Sequence, residues 1–178
     1  MRLRPALAPA LTVAAALTLT AAAASATTGT ALARTVSRPG ICPERDLDVR
    51  AAPGGQRNVA RFTVTNHGGR ACAVDRIPTV TFSSLDGSAE PVPPAESGPY
   101  VLAGGERAYA AVRTADPETT EGHVVGSLSV AADPSHQGVT FRAATVGMPA
   151  GVHVWIPVST LWHESRAAAD KALADALG

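Results

Sequence analysis

Asn58-Val59-Ala60-Arg61-Phe62-Thr63-Val64-Thr65-Asn66 is the stretch that decides the fold class. It gathers β-branched and aromatic residues in one short run, opened by the turn Pro53-Gly54-Gly55 and closed by His67-Gly68-Gly69, which is the punctuation of a strand. Outward from it, from Asp46 onward, apolar residues alternate with polar ones in runs bounded by Gly, Pro, Asn and Asp. The same reading predicts strands over residues 47–51, 71–75, 79–83, 100–103, 107–114, 127–132, 139–145 and 152–157. Turns are expected at Leu85-Asp86-Gly87 and Ala103-Gly104-Gly105. Short strands at a spacing of about ten residues describe a two-sheet β-sandwich. Residues 90–99 carry Pro91, Pro93, Pro94 and Pro99, and are expected to form a long loop or an edge excursion.

The two ends depart from this pattern. Residues 160–177 contain neither Pro nor Gly and are rich in Ala and Leu, which predicts a helix. Trp162, Ala169, Leu173 and Leu177 fall roughly on one face of it, with Glu164, Lys171 and Asp175 largely off it. The expected arrangement is a helix docked on the sandwich by its Trp162 face, the alternative being a partner-binding helix. At the other end, Met1-Arg2-Leu3-Arg4, an Ala-rich apolar stretch and Ala24-Ser25-Ala26 have the three parts of a secretory signal. The stretch is too short and too weakly hydrophobic for a membrane anchor, which needs about 20 apolar residues. The expected organisation is a signal peptide over 1–26, a flexible lead over 27–41, the β-sandwich over 42–158 and the C-terminal helix over 159–178.

The charge is balanced, with 15 basic and 15 acidic residues. Loss of Arg2 and Arg4 with the signal takes the basic count from 15 to 13 and leaves a net −2. Nucleic acid and anionic membrane, which call for a basic surface, are poor partners on that balance. Lys171 is the one lysine, a bias expected of a GC-rich genome. Cys42 and Cys72 admit one intramolecular pairing in an oxidising compartment, with two free thiols as the alternative.

Sequence motifs for chemistry fail one by one. His163-Glu164 begins like a zinc-protease helix, but position 167 is Ala167 rather than histidine. Asp46-Leu47-Asp48 lacks the glycine turn and later glutamate of a calcium loop. No Gly-x-Ser-x-Gly elbow frames a serine. His123, His136, His153 and Met148 could converge on copper or zinc only if the fold brought them together, since their spacings match no ligand motif. Trp155, within Val152-His153-Val154-Trp155-Ile156, reads first as a core residue and second as an exposed aromatic contact. No catalytic, cofactor or metal-ligating residue is assigned. Trp155 and Trp162 are the candidate binding surface.

The order of signals resembles the secreted actinobacterial domain-of-unknown-function 4232 family. The resemblance rests on Cys42 followed by Leu47-Asp48-Val49, on Arg61-Phe62-Thr63-Val64-Thr65-Asn66, on Ala71-Cys72-Ala73-Val74 and on Ile77-Pro78-Thr79-Val80. It continues through Asp86-Gly87, the run from Val101 through Gly104-Gly105 to Ala110, and Leu128-Ser129-Val130. It implies an exported immunoglobulin-like sandwich with Cys42 and Cys72 as its structural disulfide. The further cysteine pair of many members is absent here, and the C-terminal helix is an addition. The expectation is therefore a secreted or wall-associated, non-enzymatic module that binds an extracellular protein, glycan or wall component through its loops, the longest being 91–99 and 116–122. A secreted enzyme, a protease inhibitor or a metal-binding protein is the alternative.

Overall fold

The computed structural model describes residues 38–178. The signal peptide and most of the lead expected over 27–41 lie outside the described residues. Twelve strands follow in chain order: β1 (Leu47–Pro53), β2 (Val59–Asn66), β3 (Cys72–Asp75), β4 (Thr79–Phe82), β5 (Glu90–Val92), β6 (Pro99–Leu102), β7 (Arg107–Arg113), β8 (His123–Val125), β9 (Ser127–Ala131), β10 (Val139–Arg142), β11 (Val152–Val154) and β12 (Val158–Thr160). One helix, α1 (Arg166–Leu177), ends the chain. The protein is thus mostly β, with several sheets and one C-terminal helix.

The largest sheet has the order β1-β2-β7-β12-β5, and a three-stranded sheet has the order β10-β9-β4. Two further pairs, β11-β8 and β3-β6, make four sheets among the described residues where two were expected. Short strands that bend away from one another at turns cannot keep one continuous ladder, and the core is shared instead. Phe62, Val64, Ala110 and Val112 from the large sheet pack in one cluster with Val80, Phe82, Leu128 and Val130 from the three-stranded sheet. Val74 and Leu102 from the β3–β6 pair, and Val125, Val152 and Val154 from the β8–β11 pair, belong to the same cluster.

Strand alternation divides the large sheet into two faces. Ala60, Phe62, Val64 and Asn66 of β2 look inward, in register with Val112, Ala110 and Ala108 of β7. Arg61, Thr63 and Thr65 look outward, beside Ala111, Tyr109 and Arg107. Asn66 is the polar exception on the inner face and has no exposure. Its Nδ2 lies within 2.9 to 3.1 Å of the carbonyls of Arg70, Leu102 and Ala103, and its Oδ1 accepts the Gly68 N–H at 2.8 Å. One side chain so ties the end of β2 to two turns.

Bonding begins ahead of the expected boundary at Cys42. The Gly40 carbonyl accepts from Ala73 N–H, and Cys42 N–H donates back to the Ala73 carbonyl. The cysteines are joined, Cys42 to Cys72, with Cα atoms 4.8 Å apart, so the free-thiol alternative is excluded. Closing a loop of 30 residues in this way stabilises the fold by about 3 to 4 kcal/mol, mainly by restricting the unfolded chain.

The C-terminal segment corrects the expectation most. Residues 158–163 run antiparallel along β7, with Val158 opposite Arg113, Ser159 opposite Val112, and His163 exchanging backbone hydrogen bonds with Tyr109 at 2.8 Å. Position 160 is therefore strand, and the helix starts only at Arg166, where the Ser165 hydroxyl caps the Ala168 N–H at 3.1 Å. Trp162 precedes the helix and is 3% exposed in the main core. Of the expected face, Ala169 and Leu173 do dock the helix, with Leu173 against Val59 and Ala111 on the outer face of the sheet. Arg61 Nε bonds Asp170 Oδ1 at 2.6 Å across that contact. The proline-rich segment enters the sheet as β5, a parallel edge strand beside β12, where Pro91 needs no ladder donor on its open side.

Candidate functional site

Of the two tryptophans named as a binding surface, Trp162 is withdrawn. It lies in the extended segment between β12 and α1, where its N–H bonds the Arg76 carbonyl at 2.9 Å, and it fills the core from there rather than from a helix face. Trp155 moves the other way: expected first as core, it is 38% exposed. Its run alternates as predicted, but Val152 and Val154 take the inward positions and leave His153 and Trp155 outward.

On β8 the outward position is Val124, which lies opposite His153 and is 66% exposed. Ile156, next after Trp155, is 68% exposed and holds φ at +48°, a left-handed conformation that a β-branched side chain rarely adopts. Val124, Trp155 and Ile156 thus form an apolar projection at the end of the β8–β11 pair. Two glycines permit it. A Cβ on Gly122 would stand 2.4 Å from the Val154 carbonyl oxygen, and one on Gly151 would stand 2.3 Å from the Val124 side chain.

The loop leading into this projection is held by its own short-range bonds. Asp116 Oδ1 accepts the Glu118 N–H at 2.9 Å and Arg113 pairs with Asp116 at 3.3 Å, which leaves Glu118 and Glu121 at the surface. The projection therefore stands beside an acidic loop. The other loop singled out, 91–99, is drawn into β5 at one end and β6 at the other.

The histidines expected to test metal binding do not gather. His136 Nε2 lies 3.0 Å from the Cys42 carbonyl, His153 Nε2 lies 2.6 Å from the Glu121 carbonyl, and the register of β8 with β11 sends His123 and His153 to opposite faces. His153 and Met148 border one depression of about 510 Å³, but Met148 is 8% exposed and neither His123 nor His136 joins them. Among the described residues no group of three or more His, Cys, Asp or Glu side chains is placed to hold a metal.

Two buried aspartates form a polar cluster near β3. Asp133 Oδ2 accepts the Asp75 N–H at 3.0 Å and its Oδ1 accepts from the Ser135 hydroxyl at 2.6 Å, while Ser97 donates to Asp75. Burial pushes the Asp133 carboxyl up, but the bonds from Ser135 and from the Asp75 N–H outweigh it and hold the group below its ordinary value. Each of the four carboxylate oxygens accepts at least one structural hydrogen bond, from Asp75 N–H, Ile77 N–H, Ser97 or Ser135.

A groove that sequence reasoning missed lies on the outer face of the large sheet, between β1, β2, β7 and the start of α1. Its volume is about 330 Å³, and Arg50, Arg61, Arg107 and Arg166 line it against a single acidic side chain, Asp48. Thr63 and Thr65 on the central strand leave the floor low, and the longer side chains of the flanking strands raise the walls. No local motif marks this groove, because its members meet only through strand register and helix docking.

No curated protein and no solved structure matches this chain. The family model described as Domain of unknown function (DUF4232) matches residues 42–162, from the first disulfide cysteine through every strand to Trp162 in the core. The chain therefore belongs to the DUF4232 family, and α1 follows the family's span.

Proposed function

We propose that the protein is a secreted, non-enzymatic module of immunoglobulin-like sandwich type, wall-associated or extracellular, that docks a protein partner through Val124, Trp155 and Ile156. The observation that carries this reading is the left-handed Ile156 beside an exposed Trp155. A β-branched residue in that conformation costs roughly 1 to 3 kcal/mol, and strain of this kind persists where the surrounding structure imposes it and clusters at binding sites. Aromatic anchors flanked by aliphatic side chains are the usual centre of a protein interface. The acidic loop beside the projection favours a partner with basic groups around an apolar pocket. The Cys42–Cys72 disulfide is in keeping with an oxidising compartment.

The test is co-sedimentation of the oxidised protein with intact cells and with purified sacculi, at low and high salt. Retention on at least one of them that survives salt, and that Trp155→Ala and Val124→Ser abolish without moving the melting temperature, is the expected result. Wild-type protein that stays in the supernatant with both, or variants retained as well as wild type, would overturn this reading.

A further inference from the structure

The arginine groove carries an inference independent of the Trp155 projection. Its charges are unevenly used. Arg50 pairs with Asp48 at 2.5 Å and Arg61 with Asp170 at 2.6 Å, whereas Arg107 and Arg166 have no ion-pair partner among the described residues. Arg166 occupies the first turn of α1, where the helix dipole favours an anion, and no acidic residue accompanies it there. Like charges around one depression repel, and a bound anion would reverse that term.

Register sets the spacing of the groups. Arg107 stands opposite Thr65 on β2, and Arg50 opposite Thr63, so the two arginines flank the central strand on a diagonal. With strands about 4.8 Å apart and a rise of about 3.4 Å per residue, their Cα atoms lie on the order of 12 Å apart. Arginine side chains can span such a distance from both ends, so a small anion can bridge two guanidiniums, and what favours a longer ligand is that four guanidiniums line one groove. An extended ligand with repeated oxyanion groups can lie along the trough over Thr63 and Thr65 and meet several guanidiniums, each of which presents a planar fork matched to carboxylate or phosphate. The overall charge balance conceals this site because, Asp48 and Asp170 apart, acidic residues such as Glu118 and Glu121 beside the projection lie away from it.

We infer that the groove on the outer face of the β1-β2-β7 sheet is a binding site for an extended oligoanion, whose oxyanion groups are taken by Arg107 and Arg166 with Arg50 and Arg61 beside them. Uronate chains and phosphodiester chains share this chemistry. Titration of the intact, oxidised protein with an oligogalacturonate, an oligo(glycerol phosphate) and inorganic phosphate separates the sources. Binding of either oligomer is expected to be at least about tenfold tighter than that of inorganic phosphate, because the second anionic group binds as part of the same molecule. Arg107→Ala and Arg166→Ala should each weaken it by about tenfold. Arg107→Lys should also weaken it, since the charge stays but the fork is lost. Both arginines are exposed, so all three variants should melt as wild type does, and Trp155→Ala should bind as wild type does. Binding of one oligomer alone supports the site and identifies its source. Absence of binding by both oligomers, indifference to both alanine variants, or inorganic phosphate bound as tightly as an oligomer would overturn it.

Discussion

The two faces of β2 and β7 are made by the same strands under opposite demands. Inward, Phe62, Val64, Ala110 and Val112 have almost no exposure and are constrained by what the second layer leaves room for. Outward, Thr63, Tyr109 and Arg107 border an open groove where β propensity and charge are the main constraints, and Arg61 beside them is held by Asp170 of the helix. Most of the buried core therefore lies on one face, while the other carries the groove beside the smaller helix contact of Val59, Ala111 and Leu173. Neighbouring residues in one strand, less than 4 Å apart along the chain, can differ by an order of magnitude in what their removal costs.

The largest effect that would break this contrast comes from Phe62→Ala. Its ring is 1% exposed and packs near Phe141 with centroids 6.4 Å apart, so truncation should cost about 3 to 5 kcal/mol in urea unfolding. Thr63→Ala, the next residue on the opposite face, should stay within about 0.5 kcal/mol of wild type. Equal losses at the two positions would show that the outer face is part of the structural core.

Asn66 sharpens the comparison, because it is polar on the apolar face. Asn66→Ala strands the Gly68 N–H and deprives three carbonyls of their donor, and should cost about 2 to 3 kcal/mol. Asn66→Asp, which can accept from Gly68 but cannot donate to the carbonyls, should recover little of that loss. A neutral Asn66→Ala in the same unfolding assay would mean that water replaces the side chain at no cost.

The smallest effect is a pH dependence at Asp133. Its carboxyl is held below the unfolded value, so its ionised form contributes stability above the ordinary carboxylate range, and that contribution is lost as the pH falls through the folded-state value. Melting temperature followed from neutral pH downward should therefore fall more steeply for wild type than for Asp133→Asn. His163 adds a shallower slope of the same sign nearer neutrality. Burial lowers its proton affinity, so the folded state resists the protonation that the unfolded chain accepts. An Asp133→Asn variant with an unchanged acid limb would assign the acid sensitivity to other carboxylates.

Much of the β pattern could be read along the chain, and particular elements show why the rest could not. β1, β2 and β7 combine period-two alternation with glycine-marked turns, both local signals, and they form where expected. β12 carries Val158-Ser159-Thr160 with no breaker after it, so residues from 160 on read as the start of the helix. Pairing with β7 and β5, whose residues lie far off in sequence, makes that segment a strand. Trp155, expected first in the core, lies at the surface for a related reason, since a run of alternating residues does not say which of its two faces meets the core.

By itself the sequence determined the β class, the family, the pairing partners available to Cys42 and Cys72, and a helix near the C-terminus, because alternation, turn residues, cysteine count and helix propensity act over a few residues or need no geometry. Only the tertiary structure decided that Trp162 is core and Trp155 surface, that the helix waits for the Ser165 cap, and that four arginines from β1, β2, β7 and α1 border one groove. Register and docking are long-range choices, made by the total burial they achieve, and no short stretch of chain contains that sum.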